Sequence, residues 1–173
     1  YPESKRCGEA LCQAYKKQEN LEVVIPRFTR SYGPTMLKTD TKAISQFIKK
    51  AVDGENIVLK SAGTQYYSYT YVADAVAGFL TVLLKGESGE AYNIADEASD
   101  IMLKDLAKII ADFASKEVVF ELPNETEKAG YSKATKARLD GSKLKKLGWN
   151  AKYDIKLGLE RTMKMLTDKQ VKK

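Results

Sequence analysis

The chain has 173 residues, a formal net charge of +6, and hydrophobic residues at 43% of its positions. That composition supports a folded core, and no apolar run approaches the roughly 18 residues that span a bilayer, so we expect a soluble, cytoplasmic protein without a membrane partner. Histidine is absent, which excludes histidine-based metal sites and general bases, and we predict no metal site. Cys7 and Cys12 are interpreted as reduced thiols.

The excess of positive charge is compatible with two kinds of partner. Nucleic acid is one, but the lysines are dispersed or concentrated in the tail at Lys169, Lys172 and Lys173. Such a distribution is more typical of a solvated surface, and an anionic small substrate also fits it. We therefore expect no nucleic-acid partner.

Helices and short strands alternate along the chain, which is the order of a parallel α/β sheet. After Pro2, apolar residues at three-and-four spacing predict a helix that Asn20 closes. A β-branched run at residues 21–25 predicts a buried strand, and residues 27–38 predict a loop.

The remaining predicted elements continue this alternation, although their strands are too few for a complete doubly wound sheet. The third helix is predicted to bury a stripe of Val72, Val76, Phe79, Leu80 and Leu83. Residues 121–137 are predicted to be irregular. The elements are a helix that Asp40 or Thr41 caps and Gly54 ends, strands at 57–59 and 66–71, the third helix ending at Gly86, a strand at 91–94, a helix over 103–113, a strand at 118–120, an apolar cluster of Leu144, Leu147 and Trp149, and a last helix from Ile155.

Tyr1 and Lys5 form the first candidate site. On a helix they are one turn apart, so both side chains point the same way. A nearby ammonium favours the phenolate form of a tyrosine, which makes it usable for acid/base chemistry. Alone, the spacing is equally compatible with two exposed residues at a helix start.

Four segments in register resemble the extended short-chain dehydrogenase/reductase family of NAD-dependent sugar-nucleotide epimerases, dehydratases and decarboxylases. Together they cover nearly the whole chain. They are Tyr1-Pro-Glu-Ser-Lys5 followed by Arg27 and Tyr32-Gly-Pro34, then Gly63-Thr-Gln65 with Ser68-Tyr-Thr-Tyr71, then Gly89-Glu-Ala-Tyr-Asn-Ile94, and finally Leu139-Asp140 with Leu147-Gly-Trp149.

The resemblance implies a fold and a set of site residues. The chain would be the C-terminal part of a Rossmann-type fold, with residues 1–34 ending the Rossmann domain and residues 35–173 mainly forming the smaller substrate-binding domain. Tyr1 would be the catalytic acid/base, and Lys5 would assist it and hold the ribose of the cofactor NAD. The implied binding residues for a nucleoside-diphosphate sugar are Arg27, Thr29, Arg30, Tyr32 and Tyr67.

Three departures from the family pattern limit these expectations. Thr29-Arg30-Ser31 stands where many relatives have an asparagine, and Tyr67 stands where many have an arginine that holds the diphosphate. Arg30 could supply that charge, or the phosphate contacts could differ in this subfamily. The glycine-rich turn that binds NAD does not occur in the sequence.

From this missing turn and the start at Tyr1 we expect a truncated chain that lacks the NAD-binding half and is itself inactive. The resemblance also implies a parent homodimer through the helix that begins at Tyr1. The alternative function is a non-catalytic binding or assembly module with a basic surface. We assign structural roles to Asp74 as a helix-start carboxylate, to Asn93 as a turn residue and to Trp149 as a core residue.

Overall fold

The structure is a computed structural model that describes residues 1–121 and 135–171, with side chains described up to residue 168. Its helices are α1 (Pro2–Glu19), α2 (Ala43–Val52), α3 (Val72–Lys85), α4 (Leu103–Phe113), α5 (Ser142–Lys145) and α6 (Ile155–Val171). Its strands are β1 (Ile25–Phe28), β2 (Arg30–Tyr32), β3 (Ile57–Leu59), β4 (Tyr66–Tyr71), β5 (Ala91–Ile94), β6 (Asp100–Met102), β7 (Val118–Phe120) and β8 (Lys136–Ala137).

Strands β1 and β5 form a parallel pair that α3 packs against. Helix α1 ends, as predicted, at Asn20, which adopts the left-handed conformation typical of a helix C-terminus. Its side chains reach the turn before β5, where Gln13 Nε2 donates to the Gly89 carbonyl and Lys16 Nζ donates to the Ser88 carbonyl, both at 2.6 Å. This helix–strand–helix–strand unit is the parallel α/β arrangement that the sequence predicts.

Strand β4 organises the second sheet. It pairs in parallel with β2 and β8 and antiparallel with β6. The main hydrophobic core lies between this sheet and helices α2, α4 and α6, with buried side chains that include Ile44, Ile48, Leu106, Ile110 and Leu159. A further parallel pair, β3 with β7, closes the side of this core next to α2 and α4.

A second, smaller core surrounds Trp149, as predicted, and its organising residue is Asp74 on α3. Trp149 is 3% exposed, and its Nε1 donates to the Asp74 carbonyl at 3.2 Å. The Asp74 carboxylate accepts from the backbone N–H groups of Lys152 and Tyr153 at 3.0 and 2.9 Å. The structural roles assigned to Asp74 and Trp149 are therefore confirmed. Asn93 Nδ2 donates to the Asp140 carbonyl, but Asn93 lies within β5, so its predicted place in a turn is wrong.

The first predicted strand and the following loop are wrong in their boundaries. Residues 21–24 are not in a strand, because Val23 bonds instead to the turn before β5: its N–H donates to Ser88 Oγ and its carbonyl accepts from Gly89 N–H. Strand β1 begins at Ile25 and continues through Arg27. The predicted loop therefore contains the end of β1 and all of β2.

Two helix predictions also need correction. The N-cap residue of α2 is Lys42, whose N–H donates to Asp40 Oδ1, so neither predicted residue occupies the cap position. The predicted apolar stripe of α3 is largely exposed, with Val76 at 53%, Phe79 at 40%, Leu80 at 47% and Leu83 at 56%. The buried face of α3 instead carries Asp74, Ala75, Gly78 and Val82.

Most of the segment predicted to be irregular, residues 122–134, lies outside the described residues. Its end is described, and Lys136–Ala137 there forms the short strand β8. Within the described part of the chain, no helix combines the length and the apolar character needed to cross a membrane.

Candidate functional site

A cleft of about 500 Å³ opens beside the β2–β4 pair, between the start of α2 and the strand β3. We call it the basic cleft, because it is lined by Arg30, Lys42 and Lys60 and by no Asp or Glu side chain among the described residues. Its other lining side chains are apolar, aromatic or neutral polar, and include Phe47, Ser61, Gln65, Tyr67 and Tyr69. This lining suits an anion that carries a planar or apolar body.

Two of the predicted substrate residues meet at this cleft. Strand pairing places Arg30 opposite Tyr69, with Tyr67 two residues earlier on the same face of β4. The Arg30 guanidinium carbon lies 3.7 Å from the centroid of the Tyr67 ring, in a cation–π contact. Burial raises the pKa of Tyr69 to about 12, so this tyrosine is a neutral phenol at neutral pH.

Tyr32, another predicted substrate residue, lies in the main core rather than in the basic cleft. Its side chain is 1% exposed, and its hydroxyl donates to the Ile155 carbonyl at 3.3 Å. Burial, followed by the nearby carboxylate of Asp154, raises the pKa of the Tyr32 phenol well above its usual range. In the structure, Tyr32 therefore packs against the start of α6.

Thr29 and Arg27 also lie outside the residues that line the basic cleft. The Thr29 hydroxyl is 2.6 Å from that of Thr70, which bonds in turn to the Ile94 carbonyl at the end of β5. The Arg27 guanidinium bonds to both carboxylate oxygens of Glu9 on α1, with Nε–Oε1 and Nη2–Oε2 distances of 2.7 and 2.5 Å. This bond holds the pKa of the Glu9 carboxyl below its usual range. Arg27 thus joins β1 to α1.

Tyr1, the N-cap residue of α1, and Lys5 in the first turn lie close together, as the helix spacing predicts. The Lys5 Nζ atom is 5.2 Å from the centroid of the Tyr1 ring, and the Lys5 N–H donates to the Tyr1 carbonyl at 3.2 Å. Tyr1 is 88% exposed. The helix therefore holds the two side chains next to each other, and a ligand or another part of the protein can reach the Tyr1 ring.

The sequence did not indicate two of the three cations in the basic cleft. Lys42 and Lys60 are single lysines with no distinguishing spacing, so no signal in the sequence selects them from the other lysines. Another unpredicted cluster joins β4 to β6: Ser68 Oγ donates to Asp100 Oδ1 at 2.6 Å, and Arg138 Nε bonds to Asp100 Oδ2 at 2.7 Å. This second cluster ties the strands together.

Comparison with known proteins decides the family. The model of the NAD dependent epimerase/dehydratase family matches residues 1–95, which contain Tyr1, Lys5, Arg30 and Tyr67. The chain belongs to this family. Its resemblance to the sugar-nucleotide epimerases and dehydratases, seen in the sequence motifs, is confirmed.

Two relatives are each about twice as long as this chain. UDP-glucuronic acid decarboxylase 6 of Arabidopsis thaliana is 31% identical over 160 residues, which are 92% of this chain and 45% of that protein. The dTDP-D-glucose 4,6-dehydratase of Homo sapiens is 32% identical over 168 residues, 94% of this chain and 47% of that protein. The chain thus spans about half the length of these epimerase/dehydratase relatives.

Solved structures of the family share the fold. The UDP-glucose 4-epimerase of Thermotoga maritima, solved with UDP-glucose, superposes with a TM-score of 0.85 at 23% identity, covering 100% of this chain and 54% of that one. The dTDP-glucose 4,6-dehydratase of Bacillus anthracis, solved in complex with NAD, gives a TM-score of 0.82 at 23% identity, covering 99% and 53%. The predicted fold class, part of a Rossmann-type extended short-chain dehydrogenase fold, is confirmed.

Proposed function

We propose that residues 1–173 are the substrate-binding part of an NAD-dependent nucleotide-sugar epimerase, dehydratase or decarboxylase. The observation that carries this proposal is the basic cleft, which offers three cations and three aromatic rings in a chain of the epimerase/dehydratase family. A nucleoside-diphosphate sugar presents the matching chemistry, because its diphosphate is an anion and its base is planar.

The catalytic part of the proposal rests on Tyr1 and Lys5. Tyr1 would take a proton from a sugar hydroxyl and return it, and Lys5 would hold the ribose of the cofactor. NAD, when bound, supplies the hydride-accepting chemistry. The Tyr1–Lys5 pair fits this role, because the helix presents both groups on one side and leaves the tyrosine ring exposed.

We further propose that residues 1–34 complete a Rossmann domain whose NAD-binding half lies outside this chain, and that residues 35–173 mainly bind substrate. The exposed apolar stripe of α3 supports this division, because a complete domain would cover such a face. Residues 1–173 alone should then bind nucleotide sugar without reducing NAD. Reduction of NAD by this chain with any nucleotide sugar would contradict that division.

The proposal includes a homodimer of the whole protein through α1. No residue of this 18-residue helix is buried, and Leu11 and Tyr15 are 54% and 53% exposed. Sedimentation of the whole protein should give a dimer that Leu11→Glu weakens. A monomer at all concentrations in the wild-type protein would rule out this assembly.

Calorimetric titration of residues 1–173 tests the proposed function against its alternative. We expect binding of UDP-glucose or a dTDP-sugar with one site per chain, and no binding of duplex DNA. A basic assembly module would instead bind DNA with an affinity that falls steeply as salt rises, because phosphate contacts release counterions. DNA binding without nucleotide-sugar binding would refute the proposal.

The catalytic assignment needs the whole protein. Tyr1→Phe keeps the ring and removes the acid/base hydroxyl, so we expect turnover to fall by at least about 100-fold, within the range typical of general acid–base groups. Substrate affinity should change little. Wild-type turnover in Tyr1→Phe would remove Tyr1 from the reaction, while Tyr15→Phe on the same helix is the matched control.

A further inference from the structure

We infer that Arg30 is the residue that holds the diphosphate in this chain, and that Tyr67 is a positioning residue that acts through Arg30. The inference rests on the proposed function, since it assigns roles within the same basic cleft. Arg30 would contact the ligand directly, and Tyr67 would hold the Arg30 side chain in place.

Arg30 differs from Arg27 and Arg138 in its partners. Arg27 is paired with Glu9, and Arg138 is paired with Asp100. Among the described residues, Arg30 has no salt-bridge carboxylate, although its side chain is half-buried at the edge of the main core. A partly desolvated guanidinium without a carboxylate gains most from an anion that enters the cleft.

The Tyr67 ring determines how the guanidinium is presented. A guanidinium carbon 3.7 Å from the ring centroid leaves no room for a ligand between the two groups. The N–H donors of Arg30 point outward in the plane of the guanidinium, where two of them can bond to phosphate oxygens at once. The contact also limits the rotamers of a long side chain, so less conformational entropy is lost on binding.

The strand pairing explains why these two residues meet. Arg30 stands opposite Tyr69 on the parallel neighbour, and Tyr67 is the diagonal neighbour on the same face. Diagonal neighbours are within reach of long and aromatic side chains. Tyr69 is buried and neutral, so it borders the cleft next to Arg30 without adding a charge that would compete with the ligand.

The two lysines of the basic cleft are less suited to this role. The Lys42 Nζ atom already bonds to both carboxylate oxygens of Asp40, each at 3.2 Å. Lys60 is exposed on the rim after β3. An ammonium also binds phosphate as a point charge without the paired geometry of a guanidinium. These lysines strengthen the positive field, while Arg30 provides the directed bonds.

Calorimetry with UDP and with uridine tests the role of Arg30, because the two ligands differ by the diphosphate. Arg30→Lys keeps the positive charge but loses the paired N–H donors of the guanidinium and its contact with the Tyr67 ring. UDP affinity should therefore fall by about 10- to 100-fold, as expected for hydrogen bonds between charged groups. Uridine affinity should change less than about twofold. Arg6→Lys on the exposed face of α1 is the matched control and should bind UDP like the wild type.

Variants of Tyr67 test the positioning role. Tyr67→Phe keeps the ring and should bind UDP within about threefold of the wild type. Tyr67→Leu removes the cation–π contact and should weaken UDP binding by about 5- to 10-fold. Adding Tyr67→Leu to Arg30→Lys should cause no further loss, because Tyr67 acts through Arg30. An additive loss in the double variant would overturn the positioning role.

One measurement needs no variant and so does not depend on variant folding. The Arg30 Nε–H resonance of the isotope-labelled wild-type chain should shift on adding UDP but not on adding uridine. If UDP-glucose binds while this resonance and the Arg30→Lys affinity stay unchanged, the inference is wrong and the proposed function stands. If the wild-type chain binds no nucleotide sugar, the proposed function fails and the inference fails with it.

Discussion

Replacement of Asp74 should strongly destabilise the fold, because its carboxylate joins α3 to the segment that follows Trp149. The side chain is 3% exposed and accepts from the N–H groups of Lys152 and Tyr153 at 3.0 and 2.9 Å. A hydrogen bond to a charged group contributes about 1.5–3 kcal/mol. Asp74→Ala removes two such hydrogen bonds, and water can satisfy part of the hydrogen bonding of the two N–H groups. We therefore expect a decrease of about 3 kcal/mol in the free energy of unfolding.

For a chain of this length that decrease corresponds to a fall of roughly 6–12 °C in Tm. Thermal unfolding followed by circular dichroism, together with urea unfolding, measures both quantities. Asp74→Asn keeps one acceptor oxygen and should lie between Asp74→Ala and the wild type. The control is Asp105→Asn in the exposed first turn of α4, which should change stability by at most about 0.5 kcal/mol. Wild-type stability in both Asp74 variants would refute this account of the second core.

Three other changes have outcomes that the structure fixes in direction. Gly78→Ala should cost about 1–3 kcal/mol by overpacking, because the added Cβ would lie 3.2 Å from Trp149 Nε1 and 2.7 Å from an Ile94 methyl. Gly8→Ala in α1 has nothing within 4 Å and should stabilise the helix by about 0.5–1 kcal/mol, so urea unfolding should move the two alanine variants in opposite directions. The Glu9 carboxyl has a depressed pKa in the folded chain, so its contribution to stability is present above the unfolded value of about 4.3 and is lost as pH falls through the folded value. The stability of Glu9→Gln should therefore fall less steeply below that pH than the stability of the wild type. Identical pH profiles for the two proteins would contradict the bond between Glu9 and Arg27.

Elements with a strong local signal were predictable from the sequence. The first helix ends at Asn20 because this residue tolerates the left-handed conformation. The β-branched pair at Val23 and Val24 misled the strand prediction, because tertiary bonds from Val23 to the Ser88–Gly89 turn replace strand pairing there.

The orientation of α3 could not be read from periodicity. The helix has apolar residues on more than one side, and the face with small residues is the one that is buried. Gly78 allows Ile94 and Trp149 to approach closely, which a stripe of larger side chains would prevent. A prediction that buries the most apolar face of α3 therefore buries the wrong one.

The candidate site was accessible from the sequence only in part. Tyr1 and Lys5 were singled out by their helical spacing together with the family resemblance, and Arg30 and Tyr67 stand where the sequence departs from the family pattern. Their stacking, and the convergence of Lys42 and Lys60 on the same cleft, depend on parallel pairing between residues far apart in the chain. No local pattern encodes that pairing.

Mapping the backbone amide resonances of residues 1–173 during titration with UDP-glucose tests the central claim most directly. We predict saturable shifts at the basic cleft, centred on Arg30, on the start of α2 and on the β3 and β4 residues next to Tyr67. Little change is expected at α5 or in the lysine-rich end of α6. Saturable shifts confined to those distant surfaces, or no shifts at millimolar ligand, would contradict a nucleotide-sugar site in this cleft.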